Sequence, residues 1–357
     1  MRCPPLNELP PPPPGKTGWP WTEESAPLPD HMPDGNAWPR ITVVTPSFNQ
    51  GQFVEETIRS ILLQGYPNLE YLILDGASTD NSVEVIKKYA PWLSYWVSEP
   101  DRGQSHAINK GMNQASGEIV AWLNSDDLYL SGALERVARI WHKQQTHWVV
   151  GKIRVGEFLE SAETKTLRLS SSRKFLEIAA FWLVRERNLR TFTQPEVFMS
   201  LRAWKAVGGL SENLNIAMDY HLWAKLAAIG YVPTYLPEEI AFFRIQRNQK
   251  TQPYTANYLV NLSFDRAWAL YDALRLGRGL KCPPPDLTEV ENLLESKVGA
   301  FCQVLDTWHN DGGWPKMGAA TASAIIHRPN ATLRYLSSIV RTYTRGKLTE
   351  FIGNGNR

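Results

Sequence analysis

The sequence predicts an α/β fold: a mostly parallel sheet flanked by helices, with a helical extension after it. Three observations carry this. Between residues 41 and 156 short apolar runs alternate with segments of helical period. Turn-forming residues separate them. Polar residues gather where each apolar run ends, and open α/β sheets bind ligands beyond the carboxyl ends of their strands.

Taken in order, residues 1–39 form a proline-rich arm, with Pro10 to Pro14 in a row. Such a run favours an extended polyproline path and builds no core. Trp19, Trp21 and Trp38 point to an arm draped over the body, and a docking motif for another protein is the other reading. From Ile41, "ITVVT" reads as a strand and "PSFNQGQ" as a loop. "FVEETIRSILLQ" is a helix with Phe53, Ile58, Ile61 and Leu62 on one face, stopped by Gly65 and Pro67. "LEYLILD" is the next strand, and Asp80 can cap a helix carrying Val83, Ile86 and Tyr89. "SYWVSE", a helix from about Gln104 to Ala115, and "EIVAWLNS" complete a β-α-β-α-β-α-β series. "LSGALERVARIWHKQ" is a helix and "THWVVGKIRVG" a strand. The pattern is irregular from about 157 to 192 and regular again from Thr193 to Tyr235. From about Tyr254 the period is helical, broken by "CPPPD" and "DGGWP". The expected divisions are 1–39, 40–252 and 253–357.

Composition bounds the function. Net charge is +2, from 38 basic and 36 acidic residues, which gives no electrostatic case for nucleic acid. Three cysteines, Cys3, Cys282 and Cys302, lack metal-ligand spacing and suggest reduced thiols. No stretch reaches the ~18 apolar residues of a membrane span, and no secretory signal is visible. The expectation is a cytoplasmic protein, at most peripheral on the inner face of the membrane.

The chemistry lies at the strand ends: Thr45 to Asn49, Asp75 to Asp80, Glu99 to Ser105, and Asn124 to Asp127. Asp126 and Asp127 close an apolar run, and neighbouring side chains on a strand cannot both face a core. A helix cap is one reading. A site for Mg²⁺ or Mn²⁺ is the other, since these ions take oxygen ligands and often only one or two carboxylates plus phosphate and water. Asp75 ends its own strand, placed to meet a ribose or base. Asp219 precedes the amphipathic segment "YHLWAKLAAI", where a helix-start acid is favoured by the macrodipole.

Three stretches carry a resemblance: "TPSFNQGQFVEETIRSILLQGYPNLEYLILDGASTDNSVEVIKKYA", "YWVSEPDRGQSHAINKGMNQASGEIVAWLNSDDLYLSGAL" and "TQPEVFMSLRAWKAVGGLSENLNIAMDYHLWAKLAAIGY". Over about Ile41 to Thr251 the chain resembles the family 2 inverting glycosyltransferases of the GT-A fold. The resemblance implies a metal-dependent enzyme that moves a sugar from a nucleoside-diphosphate-sugar, UDP favoured, to a glycan or lipid-linked acceptor in cell-surface polysaccharide synthesis. It implies that Thr45, Pro46, Ser47 and Asn49 form the first nucleotide loop and that Asp75 contacts the nucleoside. Asp101, Arg102, Gly103 and Gln104 match the loop near base and diphosphate. Ser125 to Asp127 match the D-x-D position, with Asp127 the direct metal ligand and Asp126 beside it on metal and nucleotide. Asp219 matches the general base, and Gln194 and Gly209 the acceptor-side wall.

The chain departs from the family pattern at four places. Ala77 stands where glycine is usual, His106 where aspartate is, and His221 where a second acid is. Gln246 replaces the histidine of an R-x-H segment that helps hold metal or diphosphate, which leaves Arg244, Arg247 and Lys250 as phosphate contacts or as a basic surface loop. These departures motivate an alternative, a catalytically weakened nucleotide- or glycan-binding relative acting in an assembly. Nucleotidyl transfer is disfavoured, because no Gly-rich, Lys-bearing loop follows the first strand. Finally, "LRYLSSIVRTYTRGK" reads as a basic amphipathic helix that could lie on an anionic membrane or simply pack.

Overall fold

The computed structural model describes residues 1–165, 178–179, 193–214, 216–246, 249 and 256–294. They fall into two compact units, each described by itself. The first takes residues 1–168, 190–212 and 231–246, and the second takes 169–189, 213–230 and 247–357.

The first unit is built on a nine-stranded sheet. Strands β1 (Ile41–Ser47), β2 (Leu69–Asp75), β3 (Tyr95–Ser98) and β4 (Ile119–Trp122) are parallel in the order β3-β2-β1-β4. β1 and β2 are buried along their whole length, as strands covered on both faces must be. Helix α1 (Val54–Leu62) buries Val54, Ile58, Ile61 and Leu62 and carries Glu55 and Glu56 in its first turn, where the helix dipole favours acids. Phe53 lies before the helix rather than on its buried face. Helix α2 (Ser82–Tyr89) buries Val85, Ile86 and Tyr89, so Val85 and not the expected Val83 faces inward. α3 (Gln104–Gln114) leads into β4.

Beyond β4 the sheet is mixed, where the sequence suggested a mostly parallel one. After β5 (Leu128–Tyr129) and helix α4 (Ala133–Gln144) come β6 (Trp148–Gly156) and β7 (Glu163–Lys165). β8 (Val197–Ser200) runs antiparallel to both β4 and β6, and α5 (Leu201–Ala206) follows it. β9 (Thr234–Arg244) is parallel to β6 and antiparallel to β5. That long-range insertion brings the end of β9 to the end of the parallel half.

The proline-rich arm packs into this unit. Cys3 N–H donates to Tyr66 O (2.8 Å), Ser25 N–H to Leu63 O (2.9 Å) and Leu28 N–H to Gly65 O (3.0 Å). Arg59 of α1 is fully buried beneath it, donating to the carbonyls of Pro10 (2.8 Å), Pro20 (3.0 Å) and Trp21 (2.9 Å) and to Tyr89 Oη (3.1 Å). Prolines cannot donate, so their carbonyls are the groups a buried guanidinium can satisfy. The indoles of Trp19 and Trp38 reach Tyr129 O and Pro29 O, both at 2.9 Å.

The second unit contains α6 (Met218–Ala228) and the long α7 (Ala256–Arg278), which pack on each other, and residues 287–294 are helical. No helix among the described residues is long and apolar enough to cross a membrane. Cys3 and Cys282 carry free thiols. Cys302, the "LRYLSSIVRTYTRGK" segment and most of the irregular stretch from 157 to 192 lie outside the described residues.

Candidate active site at the carboxyl ends of the strands

Strand register sets the first part of the site. Ser47 pairs with Asp75, and Asp75 pairs with Ser98, so three polar residues stand abreast where β1, β2 and β3 end. Asp75 is 2% exposed. Its carboxylate accepts from Ser78 N (2.9 Å), Ser78 Oγ (2.6 Å) and Ser98 Oγ (2.6 Å), which holds an otherwise costly buried charge. Ser47 Oγ is buried with no hydrogen-bond partner among the described residues. Thr45, one pleat back on the same face, is fully buried and accepts from Tyr71 Oη (3.1 Å). Pro46 is buried between them.

The loops after β1 and β2 are stitched together. Asn49, in the left-handed region at φ 52°, donates its N–H to Ser78 Oγ (2.8 Å) and accepts from Thr79 N (2.8 Å). Gly51 N–H donates to Asp80 Oδ2 (2.9 Å), and a Cβ on Gly51 would fall 1.8 Å from Asn81 Oδ1, so a larger residue there would push the Asn81 side chain aside. Asp80 also accepts from Ser82 N (2.9 Å), but the N-cap of α2 is Asn81, one residue later than the sequence suggested, and its side chain makes no capping bond. Ala77 adopts φ 62°, the turn usually reserved for glycine, so the chain makes it at a cost of about 1–2 kcal/mol. Phe48 is 59% exposed, and its ring and Asp101 Oδ2 both lie beside Gly76. Nothing in the sequence argument picked out Phe48; an aromatic inside the polar loop "SFNQ" was the available signal.

The third loop connects to the acid pair. Asp101 Oδ1 accepts from Gly103 N (2.6 Å), while Arg102 points outward to Glu212 (2.8 Å). Gln104 Nε2 donates to Asn124 Oδ1 (2.8 Å), and Asn124 Nδ2 donates to Asp127 Oδ2 (3.2 Å). His106 sits in the first turn of α3 with Nδ1 at 3.4 Å from Arg102 N.

Asp126 and Asp127 follow β4. Asp127 is 1% exposed, and burial together with the neighbouring Asp126 charge pushes its carboxyl well above the ordinary range. Its Oδ1 accepts from Arg244 N (3.0 Å) and its carbonyl from Thr57 Oγ1 (2.8 Å). Asp126 is half-buried, also raised by burial, and its Oδ2 accepts from Gln246 Nε2 at 2.5 Å. Gln246 therefore touches the acid pair as an amide donor where a histidine was expected. Arg244, expected at a phosphate, is nine-tenths buried at the end of β9. Its Nε donates to Asp126 O (3.0 Å), its Nη2 pairs with Glu56 (2.9 Å), and the rings of Phe53 and Phe242 lie 5.2 Å on either side. It braces the acid turn. Lys250 and Arg247 lie outside the described residues.

The residues fit a divalent cation. Among the described residues Arg244 brings one positive charge to Asp126, Asp127 and Glu56, and the two adjacent acids raise each other's cost of ionising, which a divalent cation would offset. No group of three or more His, Cys, Asp or Glu side chains that could hold an ion exists among the described residues. An ion on this pair would complete its shell with phosphate oxygens and water.

The acceptor-side residues take supporting places. Gln194 is buried, its Nε2 donating to the Trp122 carbonyl at the end of β4, and its Oε1 has no partner among the described residues. Gly209 has φ 66°, and a Cβ there would lie 2.9 Å from Asn109 Oδ1, which accepts from Leu210 N (3.0 Å). Glu196, which the sequence argument passed over, is 2% exposed, and burial pushes it up to about 8 despite two contacts from Thr193.

Asp219 belongs to the second unit, in the first turn of α6, its Oδ1 accepting from Tyr220 N (2.7 Å). The structure thus brings Ser47, Asn49, Asp75, Asp101, Gln104, Asp126 and Asp127 to the strand ends of one unit and describes Asp219 in the other.

A mixed sheet whose parallel half ends in a polar strand edge with an acid pair is the architecture of the GT-A glycosyltransferases. The crystal structure of S. aureus TarS matches with a TM-score of 0.52 at 17% identity, covering 72% of this chain and 43% of that one. Residues 42–198, somewhat under half of the chain, match the model of Glycosyl transferase family 2, and this region is similar to that family. An uncharacterized glycosyltransferase of Rickettsia typhi is 26% identical over 208 residues, 57% of this chain and 62% of that protein. TuaG of Bacillus subtilis, a glycosyltransferase named for teichuronic acid biosynthesis, is 34% identical over 101 residues, 28% of this chain and 40% of TuaG. The chain thus spans less than two thirds of either relative.

Proposed function

We propose that this protein is a metal-dependent inverting glycosyltransferase, moving a sugar from a nucleoside-diphosphate-sugar, UDP favoured, to a hydroxyl of a glycan or lipid-linked acceptor. The observation that carries the reading is the row Ser47–Asp75–Ser98 at the ends of the same parallel strands that β4 and the Asp126–Asp127 turn extend, with that turn tied to the start of α3 through the Gln104–Asn124–Asp127 hydrogen bonds. The match of residues 42–198 to the family model supports it, and the similarity to TuaG supports a role in cell-surface polysaccharide synthesis.

In this reading the exposed Phe48 ring and Asp101 flank the base, and Asp75 accepts a hydrogen bond from the nucleoside. Ser47 Oγ and the Asn49 loop approach the nucleotide. Asp127, with Asp126, holds Mn²⁺ or Mg²⁺, which when bound offsets the charge growing on the departing diphosphate. Asp219 takes the proton of the attacking hydroxyl as its oxygen bonds to the anomeric carbon and the bond to the diphosphate oxygen breaks. Gln194 and Gly209 shape the acceptor side by fixing the end of β4 and the turn after α5. Arg244 keeps the acid turn in place, and Lys250 remains a candidate phosphate contact.

Release of nucleoside diphosphate from a panel of UDP-, dTDP- and GDP-sugars, with Mn²⁺ or Mg²⁺, tests this. Asp127→Ala and Asp219→Asn should each abolish turnover. Unchanged activity in both would sink the proposal. A second reading, a weakened relative that binds without turnover, draws on the amide of Gln246 resting on Asp126. Titration with UDP and Mn²⁺ that gives binding but no turnover with any acceptor would favour it.

A further inference from the structure

The candidate base is held in place from one side. Asp265, Trp268 and Asp272 stand at i, i+3 and i+7 on α7, the spacing that puts side chains on one helical face. Each meets the segment around Asp219. Asp265 Oδ2 accepts from Ile216 N at 3.3 Å, just before α6 begins. The Trp268 and His221 rings pack with centroids 5.0 Å apart. Asp272 Oδ2 lies 3.0 Å from His221 Nε2.

His221 is 2% exposed, and burial holds its pKa below the ordinary histidine value. A neutral ring beside a carboxylate places its proton on Nε2, donating to Asp272. Its Nδ1 is buried with no partner among the described residues. Lys225, one turn further along α6, is pushed down to about 8 by burial while the Asp272 charge opposes that shift. Asp272 thus accepts from His221, and its charge also favours the Lys225 ammonium.

We infer that His221 and Asp272 are positioning residues that fix the orientation of Asp219, two residues before His221 in the first turn of α6, with Asp265 anchoring the chain that enters that turn. The inference rests on the reading of Asp219 as the base. General-base transfer depends on geometry, and a displacement of about 1 Å can cost ~10²-fold in rate. Loss of the His221–Asp272 bond should therefore lower kcat and leave the KM for the donor unchanged, because these residues hold the base and not the nucleotide.

The experiment uses the full chain and the panel donor that is turned over fastest, with thermal melting recorded for every variant. His221→Phe keeps the packing on Trp268 and removes the hydrogen bond; Asp272→Ala removes the acceptor. Each should lower kcat about tenfold to a hundredfold at unchanged donor KM. The exchange His221→Asp with Asp272→His should restore kcat to within about threefold of the parent. A folded single variant with parental kcat, alongside an inactive Asp219→Asn, overturns the inference and leaves the base assignment standing. An exchange that restores nothing also overturns it. Full turnover by Asp219→Asn removes the base assignment and this inference together. If His221→Phe melts below the assay temperature, Asp272→Ala decides.

Discussion

The parallel and mixed halves of the first unit build polar sites in opposite ways. Around β1, β2 and β3 each acid is shared among several donors within or between adjacent loops: Asp75 with Ser78 and Ser98, Asp80 with Ser82 and Gly51, Asp101 with Gly103. Around β8 and β9 the polar groups are buried and their partners are remote or few. Arg244 meets Glu56 across 188 residues of chain, and among the described residues Glu196 has only Thr193. The first arrangement spreads each group over several partners. The second makes stability depend on each group.

The sharpest way to break this contrast is Arg244→Met. Removing one partner of a buried ion pair costs about 3–5 kcal/mol, and chemical denaturation should show that loss. A loss under about 1 kcal/mol would place Arg244 with ordinary surface pairs.

Glu196→Gln comes next. An unfolded glutamate ionises near 4.5, whereas the folded one keeps its proton up to about 8. The folded state therefore binds the extra proton, and the wild type loses stability as pH rises through that window, by about 1.4 kcal/mol per unit. Glutamine keeps an acceptor for Thr193 N–H and removes the slope. Melting from pH 5 to pH 8 should show the variant gaining on the wild type as pH rises, and parallel curves would refute it.

Asp75→Asn should divide the two halves cleanly. Nucleotide affinity, read by UDP titration, should weaken about tenfold to a hundredfold through loss of a charged acceptor worth ~1.5–3 kcal/mol. Its melting point should move much less than that of Arg244→Met, and a comparable destabilisation would erase the distinction. The smallest effect is Ala77→Gly. It relieves left-handed strain of about 1–2 kcal/mol and returns roughly 0.5–1 kcal/mol as unfolded-chain entropy. A net gain of up to about 1 kcal/mol in denaturation is expected.

The same contrast marks what the sequence made legible. Strands β1 and β2, the helices between the parallel strands and the polar strand ends all follow from local period and turn residues. Val85 displaced Val83 because two valines two apart cannot both face one side of a helix. The antiparallel insertion of β8 was invisible, since its register with β4 is set by residues nearly eighty positions away. Glu56, Asp265 and Asp272 carried no motif; each gains meaning only from a partner brought by folding. His221 was visible as a departure, but its partner lies 51 residues on.

Arg59 carries a practical consequence for anyone trimming this polypeptide. A shortened version starting at residue 40, chosen to discard an apparently dispensable segment, would strip Arg59 of the Pro10, Pro20 and Trp21 carbonyls and uncover the apolar surface that Cys3, Leu9, Met32 and Trp38 now cover. Such a truncate would be expected to precipitate during expression, and the segment that looks most like packaging would prove to be a keystone.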